Sequence, residues 1–237
     1  MRFRSLASSS AGNAYIIDDG KTKLLIECGI TYKKLSKAAG FNLSTLHGCL
    51  ISHEHKDHAK CARDLQGLGV QIYTSVGTAE ALELECAFFT PIESKKRIEI
   101  GTFVVLPFDV FHDAAEPLGF LIYSRETKKK LLFATDTAAV HYTFSGINLM
   151  ALEANYIRDI LDGNTLLPDK VRYRITNSHF ECANAVEFVR TLDLSALEEL
   201  YLIHLSDACS SETRIFEAFA QAVPDNVRIT ICKKEGE

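Results

Sequence analysis

The segment Ile51-Ser52-His53-Glu54-His55-Lys56-Asp57-His58 concentrates three of the chain's eight histidines beside an aspartate. The apolar run Leu46–Ser52 leads into this segment and predicts a buried strand, and the apolar spacing over Asp57–Leu68 predicts a helix. In extended backbone His53 and His55 point to the same side, because side chains alternate with a period of two. The segment therefore joins a strand to a helix and directs two imidazoles toward one point.

Asp57 and His58 open the next turn and can face back toward the two preceding histidines. Nitrogen and oxygen donors in this arrangement predict a metal site, for which Zn²⁺, Mn²⁺ and Fe ions are suitable. The alternative interpretation is a solvated polar turn. The apolar strand that leads into the segment disfavours that alternative.

Composition places the chain among ordinary globular proteins. It has 237 residues, of which 47% are hydrophobic and 24% are charged, and its formal net charge is −5. The length suits one large domain or two small ones, and the absence of a Pro/Gly/Ser-rich linker predicts a single domain over residues 1–237. The negative charge argues against a uniformly basic nucleic-acid binder but permits a local basic patch.

Targeting signals and cysteine usage predict a cytoplasmic protein without a membrane partner. No apolar run approaches the roughly 18–20 residues that a membrane span needs. The N-terminal arginines are not followed by an unbroken apolar stretch, so we expect no secretory signal. The seven cysteines include no C-x-x-C pair, which favours reduced thiols over a disulfide framework.

Strands and helices alternate along the rest of the predicted chain. The turn Asp18-Asp19-Gly20-Lys21 predicts a hairpin between strands over 13–18 and 23–27, and Thr31 predicts the cap of a helix that ends at Gly40. Two strand-rich stretches, each with helices, predict an α/β sandwich with two internal sheets. The further strands are predicted over 70–74, 97–100, 102–109, 119–124, 130–135, 147–153, 199–204 and 227–232, and the further helices over 157–163, 169–176, 181–192 and 212–223.

The pattern His53-x-His55-x-Asp57-His58 resembles the signature motif of the metallo-β-lactamase superfamily. His112 in Phe111-His112-Asp113, Asp136 in Phe133-Ala134-Thr135-Asp136-Thr137 and His204 in Leu202-Ile203-His204-Leu205-Ser206 follow in that superfamily's order. Each of them lies at the end of a predicted strand. The resemblance covers nearly the whole chain and implies an αββα fold, in which two mixed sheets lie between flanking helices.

The same resemblance implies a dinuclear metal site that holds two divalent ions, Zn or Mn, with Fe as a further possibility. Two such cations act together on a phosphoryl or carbonyl group. Asp57 is also expected to take part in catalysis. Glu27 stands where the superfamily has an aspartate, and we expect it to orient a ligand histidine from behind. The implied ligands are His53, His55 and His112 for one cation, Asp57, His58 and His204 for the other, and Asp136 between the two.

Three other segments resemble the YycJ/WalJ group of that superfamily, which is thought to contain 5′-to-3′ DNA exonucleases. They are Ser5–Asn13, His112–Phe120 and Arg172–Ala185. The resemblance implies a nucleic-acid partner, DNA in the first place. Asn13, Arg172 and Arg174 are then candidates for binding substrate.

His179 is a candidate for protonating the leaving group or holding a phosphate oxygen, with a helix-capping role as the alternative. The group has Leu-Ser-Asn after this histidine, whereas this chain has Phe180-Glu181-Cys182. His141 and Tyr142, shortly after Asp136, are candidates for lining the pocket.

The expected function is therefore a metal-dependent phosphodiesterase, a 5′-to-3′ exonuclease on DNA. The alternatives are a hydrolase of small esters, thioesters or cyclic nucleotides, and a metal-binding protein without catalysis. His55 stands where the superfamily's redox branch has a glutamate, and His58 where the β-lactamase branch lacks a histidine, so both branches are disfavoured. The 67 residues between Asp136 and His204 are too few for the large cap domain of the RNA-processing nucleases.

Overall fold

The computed structural model describes residues 1–234, which group into two compact units. Unit one comprises residues 1–109, 114–129 and 233–234, and unit two comprises residues 110–113 and 130–232. Thirteen strands, eight α-helices and two short 3₁₀ helices lie within residues 1–234. The single domain over residues 1–237 remains a prediction.

Unit one contains a six-stranded sheet and a set of three antiparallel strands. The sheet has the order β1-β2-β3-β4-β5-β6, antiparallel from β1 to β3 and parallel from β3 to β6. Strands β7, β8 and β9 pair antiparallel in that order. The strands are β1 (Arg2–Ala7), β2 (Ala14–Asp18), β3 (Lys23–Ile26), β4 (Gly48–Leu50), β5 (Ile72–Thr74), β6 (Phe89–Pro91), β7 (Ile98–Ile100), β8 (Phe103–Asp109) and β9 (Leu118–Ser124), and the helices are α1 (Tyr32–Ala39), α2 (Lys56–Ala59), α3 (Ala62–Gly67) and α4 (Val76–Ala81), with 3₁₀ helices at Leu43–Thr45 and Cys86–Phe88.

The predicted hairpin is present between β2 and β3, and a buried carboxylate holds its turn. Asp19 Oδ1 accepts the backbone N–H groups of Lys21 and Thr22, and Oδ2 accepts the hydroxyls of Thr102 at 2.6 Å and Ser124 at 2.7 Å. Burial by itself would raise the pKa of Asp19, but the hydrogen bonds outweigh it and lower that pKa. The turn is thereby tied to β8 and β9.

The helix predicted over Asp57–Leu68 is wrong as a single element, because α2 ends at Ala59 and α3 begins at Ala62. At the break the N–H of Cys61 donates to the carbonyl of Cys28 at 3.0 Å, instead of continuing the ladder of α2. The two short helices let the chain turn directly after the histidine segment.

Unit two contains four parallel strands in the order β13-β12-β11-β10 and four helices. Every residue of β11 is buried, as expected of a strand covered on both faces. The parallel strands end at the same edge, so the residues that follow them lie close together. The elements are β10 (Lys130–Ala134), β11 (Leu149–Glu153), β12 (Glu199–Ile203), β13 (Arg228–Ile231), α5 (Arg158–Gly163), α6 (Asp169–Ser178), α7 (Cys182–Arg190) and α8 (Glu212–Ala220).

The six-stranded sheet of unit one and the parallel sheet of unit two are each accompanied by helices. This confirms the predicted α/β class with two sheets. All seven cysteines lie in the described part of the chain as free thiols, and six of them are buried. Within residues 1–234 no helix combines the length and the apolar character that crossing a bilayer requires.

Candidate functional site

In unit one the predicted ligands converge at the histidine turn, residues 53–58, which follows β4 and includes the start of α2. His53 Nε2 lies 3.0 Å from His55 Nδ1, and the rings of His53 and His58 have centroids 4.2 Å apart. Asp57 Oδ2 lies 3.4 Å from His58 Nε2. Four potential ligands are thus collected by six consecutive residues, as the spacing predicted.

Buried polar groups orient this turn from behind. Ser52 Oγ lies 2.8 Å from His53 Nδ1, so a proton on Nδ1 leaves the Nε2 lone pair of His53 for a cation. Glu27 is fully buried, accepts the N–H of Ser52 at 3.2 Å and lies 3.5 Å from His58 Nδ1. Burial raises the pKa of Glu27. The glutamate is therefore placed where a ligand-orienting carboxylate was expected.

Asn13 supports the turn from the inside of unit one. Its side chain is fully buried, and Nδ2 lies 3.2 Å from the Asp57 carbonyl oxygen and 3.2 Å from His58 Nε2. Its backbone N–H also donates to the Asp57 carbonyl, at 2.8 Å. Gly29 approaches the same carbonyl so closely that a Cβ there would lie 1.6 Å from it. The structure favours a supporting role for Asn13 over the predicted contact with substrate.

In unit two the predicted ligands His112, Asp136 and His204 also converge. His112 Nε2 lies 3.4 Å from Asp136 Oδ2, and His204 Nδ1 lies 3.0 Å from Asp136 Oδ1. Asp136, Glu153, His179 and His204 each offer one ligand atom within 4.8 Å of the others. The candidate site of unit two thus includes His179, which was predicted, and Glu153, which was not.

The protonation of His112 follows from its partner. His112 Nδ1 lies 2.7 Å from the carbonyl oxygen of Ser178, which can only accept, so Nδ1 carries the proton. Nε2 of the neutral ring then presents its lone pair toward Asp136. Burial lowers the pKa of His112 and favours this neutral form. A lone pair that faces a carboxylate is unfavourable by itself and becomes favourable with a cation between them, so these donors suit a metal ion.

Glu153 organises the ligands of unit two. It is fully buried at the end of β11, and Oε1 lies 2.8 Å from His179 Nδ1 and 2.9 Å from His204 Nδ1. Oε2 accepts the N–H groups of Thr137 at 3.0 Å and Phe180 at 3.1 Å. Burial alone would raise the pKa of Glu153, but the charge of His179 and the hydrogen bonds with His179 and His204 together lower that pKa. Glu153 was not predicted as a site residue, although a carboxylate at the end of an otherwise apolar strand is the available signal.

His179 follows α6 as its cap residue, and its side chain binds Glu153 rather than the helix. Burial would lower the pKa of His179, but the charge of Glu153 and its hydrogen bond raise it. Because Glu153 occupies Nδ1, the remaining donor atom of the ring is Nε2.

Three site residues adopt left-handed backbone that side chains other than glycine rarely take. The φ angles are 62° at Glu27, 45° at Asp136 and 53° at His204. Such conformations cost about 1–3 kcal/mol each and persist where the surroundings enforce them, commonly at functional sites. Each of the three comes directly after a strand or within two residues of its end.

The two predicted arginines have different surroundings. The Arg172 guanidinium donates to the backbone carbonyls of Leu161 and Asp162, each at 2.9 Å, and to those of Leu167 and Asn164. It therefore joins α6 to the end of α5, which favours a structural role over phosphate binding. Arg174 is exposed and pairs with Asp113 at 2.8 Å.

The comparison with protein families identifies the fold. Residues 22–205 match the family model described as a β-lactamase superfamily domain. The chain belongs to the metallo-β-lactamase superfamily. This membership, together with the ligand sets of the two units, confirms the predicted class of enzyme, a hydrolase of the metallo-β-lactamase superfamily.

Two curated relatives and one solved structure are similar to most of the chain. The exodeoxyribonuclease YycJ of Bacillus anthracis is 30% identical over 228 residues, which cover 87% of this chain and 83% of YycJ. The exodeoxyribonuclease WalJ of Streptococcus pneumoniae serotype 2 is 31% identical over 222 residues, which cover 86% of this chain and 81% of WalJ. The crystal structure of the metallo-β-lactamase fold protein YhfI from Bacillus subtilis has a TM-score of 0.74 at 16% identity and covers 98% of this chain and 97% of YhfI. YhfI confirms the predicted metallo-β-lactamase fold.

Proposed function

We propose that the chain is a metal-dependent phosphodiesterase that degrades DNA as a 5′-to-3′ exonuclease. The names of two relatives that match most of its length support this substrate. The observation that carries the chemistry is the arrangement of His112, whose protonated Nδ1 leaves Nε2 facing Asp136 at 3.4 Å. We also place the activity in the cytoplasm, where the free thiols would stay reduced.

The residues present suit two divalent cations, Zn²⁺ or Mn²⁺ with Fe as a further option, because neutral imidazoles and carboxylates are the donors that these ions take. When bound, such a pair of cations supplies Lewis acidity and neutralises the charge that develops on phosphoryl oxygens. The proposed ligands are His53, His55 and His112 for one cation and Asp57, His58 and His204 for the other, with Asp136 shared; Asp57 is also proposed to act in catalysis.

The protein's own groups would orient the ligands and supply a proton. Glu153 fixes His204 and His179 through their Nδ1 atoms. His179 Nε2 is then the atom that would donate a proton to the leaving oxygen of the scissile phosphodiester. The His179 side chain is 14% exposed, so the ring is not wholly closed off from solvent.

The test is a gel assay with 5′-phosphorylated single- and double-stranded DNA and RNA, in Zn²⁺ and in Mn²⁺. We expect DNA to be shortened from its 5′ end. Asp136→Asn should reduce the rate about 100-fold or more, because it removes the only carboxylate proposed to contact both cations. Asp159→Asn is the matched control, since Asp159 is an exposed aspartate that pairs with Arg214 in unit two, and it should keep the wild-type rate.

Two results would overturn the proposal. One is hydrolysis of small esters or cyclic nucleotides without cleavage of any nucleic acid in either metal. The other is a wild-type rate in Asp136→Asn.

A further inference from the structure

Unit two contains a cavity of about 360 Å³ that the ligand set does not use. We call it the aromatic cleft. Its wall consists of residues 138–143, Phe180 and the face of α7 that carries Asn184, Glu187 and Phe188. Its volume is at the lower end of the range for small-molecule sites, which is about 300–1,000 Å³.

The cleft wall is continuous in sequence with the ligands of unit two. Residues 138–143 begin two positions after Asp136, and Phe180 directly follows His179. Phe111, which precedes His112, is bound to the same wall: its N–H donates to Thr137 Oγ1 at 3.0 Å, and its carbonyl accepts the N–H of Ala138 at 2.9 Å. The cleft wall therefore begins within two residues of Asp136 and directly after His179.

Aromatic rings form the rim. Phe111 is 47% exposed, unusual for a phenylalanine beside a buried site. Its ring centroid lies 4.6 Å from that of His141, with the two planes tilted by 47°. His141 is itself exposed and also lines the cleft, as predicted, together with the half-buried Tyr142. A planar ring could stack on Phe111 while its edge enters the cleft.

The cleft also offers a polar group of the kind that reads a base edge. The side-chain amide of Asn184 is exposed, and within residues 1–234 it has no hydrogen-bond partner. An amide provides one acceptor and two donors, which complement the mixed edge of a nucleobase.

We propose that the aromatic cleft binds the base of an unpaired nucleotide adjacent to the phosphodiester that is hydrolysed. This inference rests on the proposed function and deepens it, because it names a single-stranded end as the substrate. A base within a duplex has both faces covered by its neighbours, whereas an unpaired base can stack on Phe111 and His141. An apolar peptide segment would use the rings but gives no role to the free amide of Asn184.

The test measures binding, so that it does not depend on turnover. A fluorescein-labelled thymidine hexanucleotide with phosphorothioate linkages is compared by anisotropy, in Zn²⁺, with six versions that each lack one base. For the wild type we expect removal of one particular base to weaken binding about 5- to 150-fold, the range for one stacked base. Removal of the others should have smaller effects.

Variants assign that base to the cleft. Phe111→Ala should weaken binding of the complete hexanucleotide and abolish the difference between it and the critical abasic version. His141→Ala, at an exposed position, is the second variant and should reduce the difference in the same direction. Phe216→Ala is the matched control, because Phe216 is 43% exposed on α8, away from the cleft lining, and it should keep the wild-type pattern.

The inference is wrong if removal of no single base weakens binding to the wild type. It is also wrong if the losses of binding free energy caused by Phe111→Ala and by base removal are additive. It also falls if a competing apolar peptide displaces the hexanucleotide from the wild type but not from Phe111→Ala. Base-dependent binding without cleavage of unmodified DNA would support the cleft and overturn the proposed function. Cleavage of DNA with no base dependence of binding would support the proposed function and overturn the assignment of the aromatic cleft.

Discussion

Glu153→Gln removes the negative charge of a buried carboxylate and keeps the size of the side chain. The carboxylate accepts four hydrogen bonds, two from the backbone at Thr137 and Phe180 and two at Nδ1 of His179 and His204. Glutamine has the same size, but its amide oxygen replaces only one of the two carboxylate oxygens. Because backbone N–H groups can only donate, and leaving one unsatisfied costs about 1–3 kcal/mol, the amide oxygen should remain with them.

The amide N–H₂ then faces the two imidazoles. His179 must accept at Nδ1 and carry its proton on Nε2, and His204 Nδ1 keeps its contact with Asp136 Oδ1, at 3.0 Å. A hydrogen bond from His204 Nδ1 to Asp136 Oδ1 competes with the binding of a cation by that carboxylate. Loss of a ligand-orienting partner typically lowers metal affinity about 10- to 100-fold, and we expect a decrease in this range with the fold retained.

The assay is competition for Zn²⁺ against a chromophoric chelator, with circular dichroism to check folding and ¹⁵N chemical shifts to report the histidine tautomers. Glu181→Gln is the matched control, because Glu181 is a buried glutamate whose Oε2 accepts the N–H of Asn184 at the start of α7. It should leave metal affinity unchanged. Wild-type affinity and unchanged tautomers in Glu153→Gln would refute the reasoning.

Three further predictions follow from other residues. Elemental analysis of protein saturated with Zn²⁺ should find close to two ions per chain, and Asp136→Ala should lose at least one of them. Arg172→Ala should lower the free energy of unfolding in urea by about 1.5–3 kcal/mol, because its charged donors bind four backbone carbonyls, whereas Arg174→Ala removes an exposed ion pair worth about 0–1 kcal/mol. Asp19→Asn should cost about 1–3 kcal/mol at pH 7, because an amide nitrogen cannot accept the hydroxyls of Thr102 and Ser124. The pKa of Asp19 is lower in the folded than in the unfolded protein. Its ionisation therefore contributes fully to the free energy of unfolding above the unfolded pKa of about 3.9, and this contribution is lost as the pH falls through the folded pKa. Urea titrations should accordingly show a smaller difference in the free energy of unfolding between wild type and Asp19→Asn at pH 3 than at pH 7.

The sequence alone determined the features that depend on local spacing. The period of two placed His53 and His55 together, and the structure puts their nitrogens 3.0 Å apart. The cap of α1 was also predictable, because Thr31 accepts the N–H of Lys34 and Gly40 takes left-handed backbone. Strand β1 was missed because only Arg2, Phe3 and Arg4 alternate between exposed and buried, and the rest of the strand does not continue the pattern. These features involve residues a few positions apart, so propensity and periodicity are enough to predict them.

Only the tertiary structure decided the partners of the buried polar groups. In the sequence Glu153 is only the last residue of an apolar strand. Its contacts with His204 and His179 form because β12 and the chain after α6 bring these histidines to it. Asn13 and Arg172 were expected to face substrate, but their donors are taken by the Asp57 carbonyl and by the carbonyls of α5. A buried donor or acceptor must find a partner wherever packing supplies one. For Asn13 and Glu153 the partners Asp57, His179 and His204 lie 26 to 51 residues away in sequence, so no local pattern encodes them.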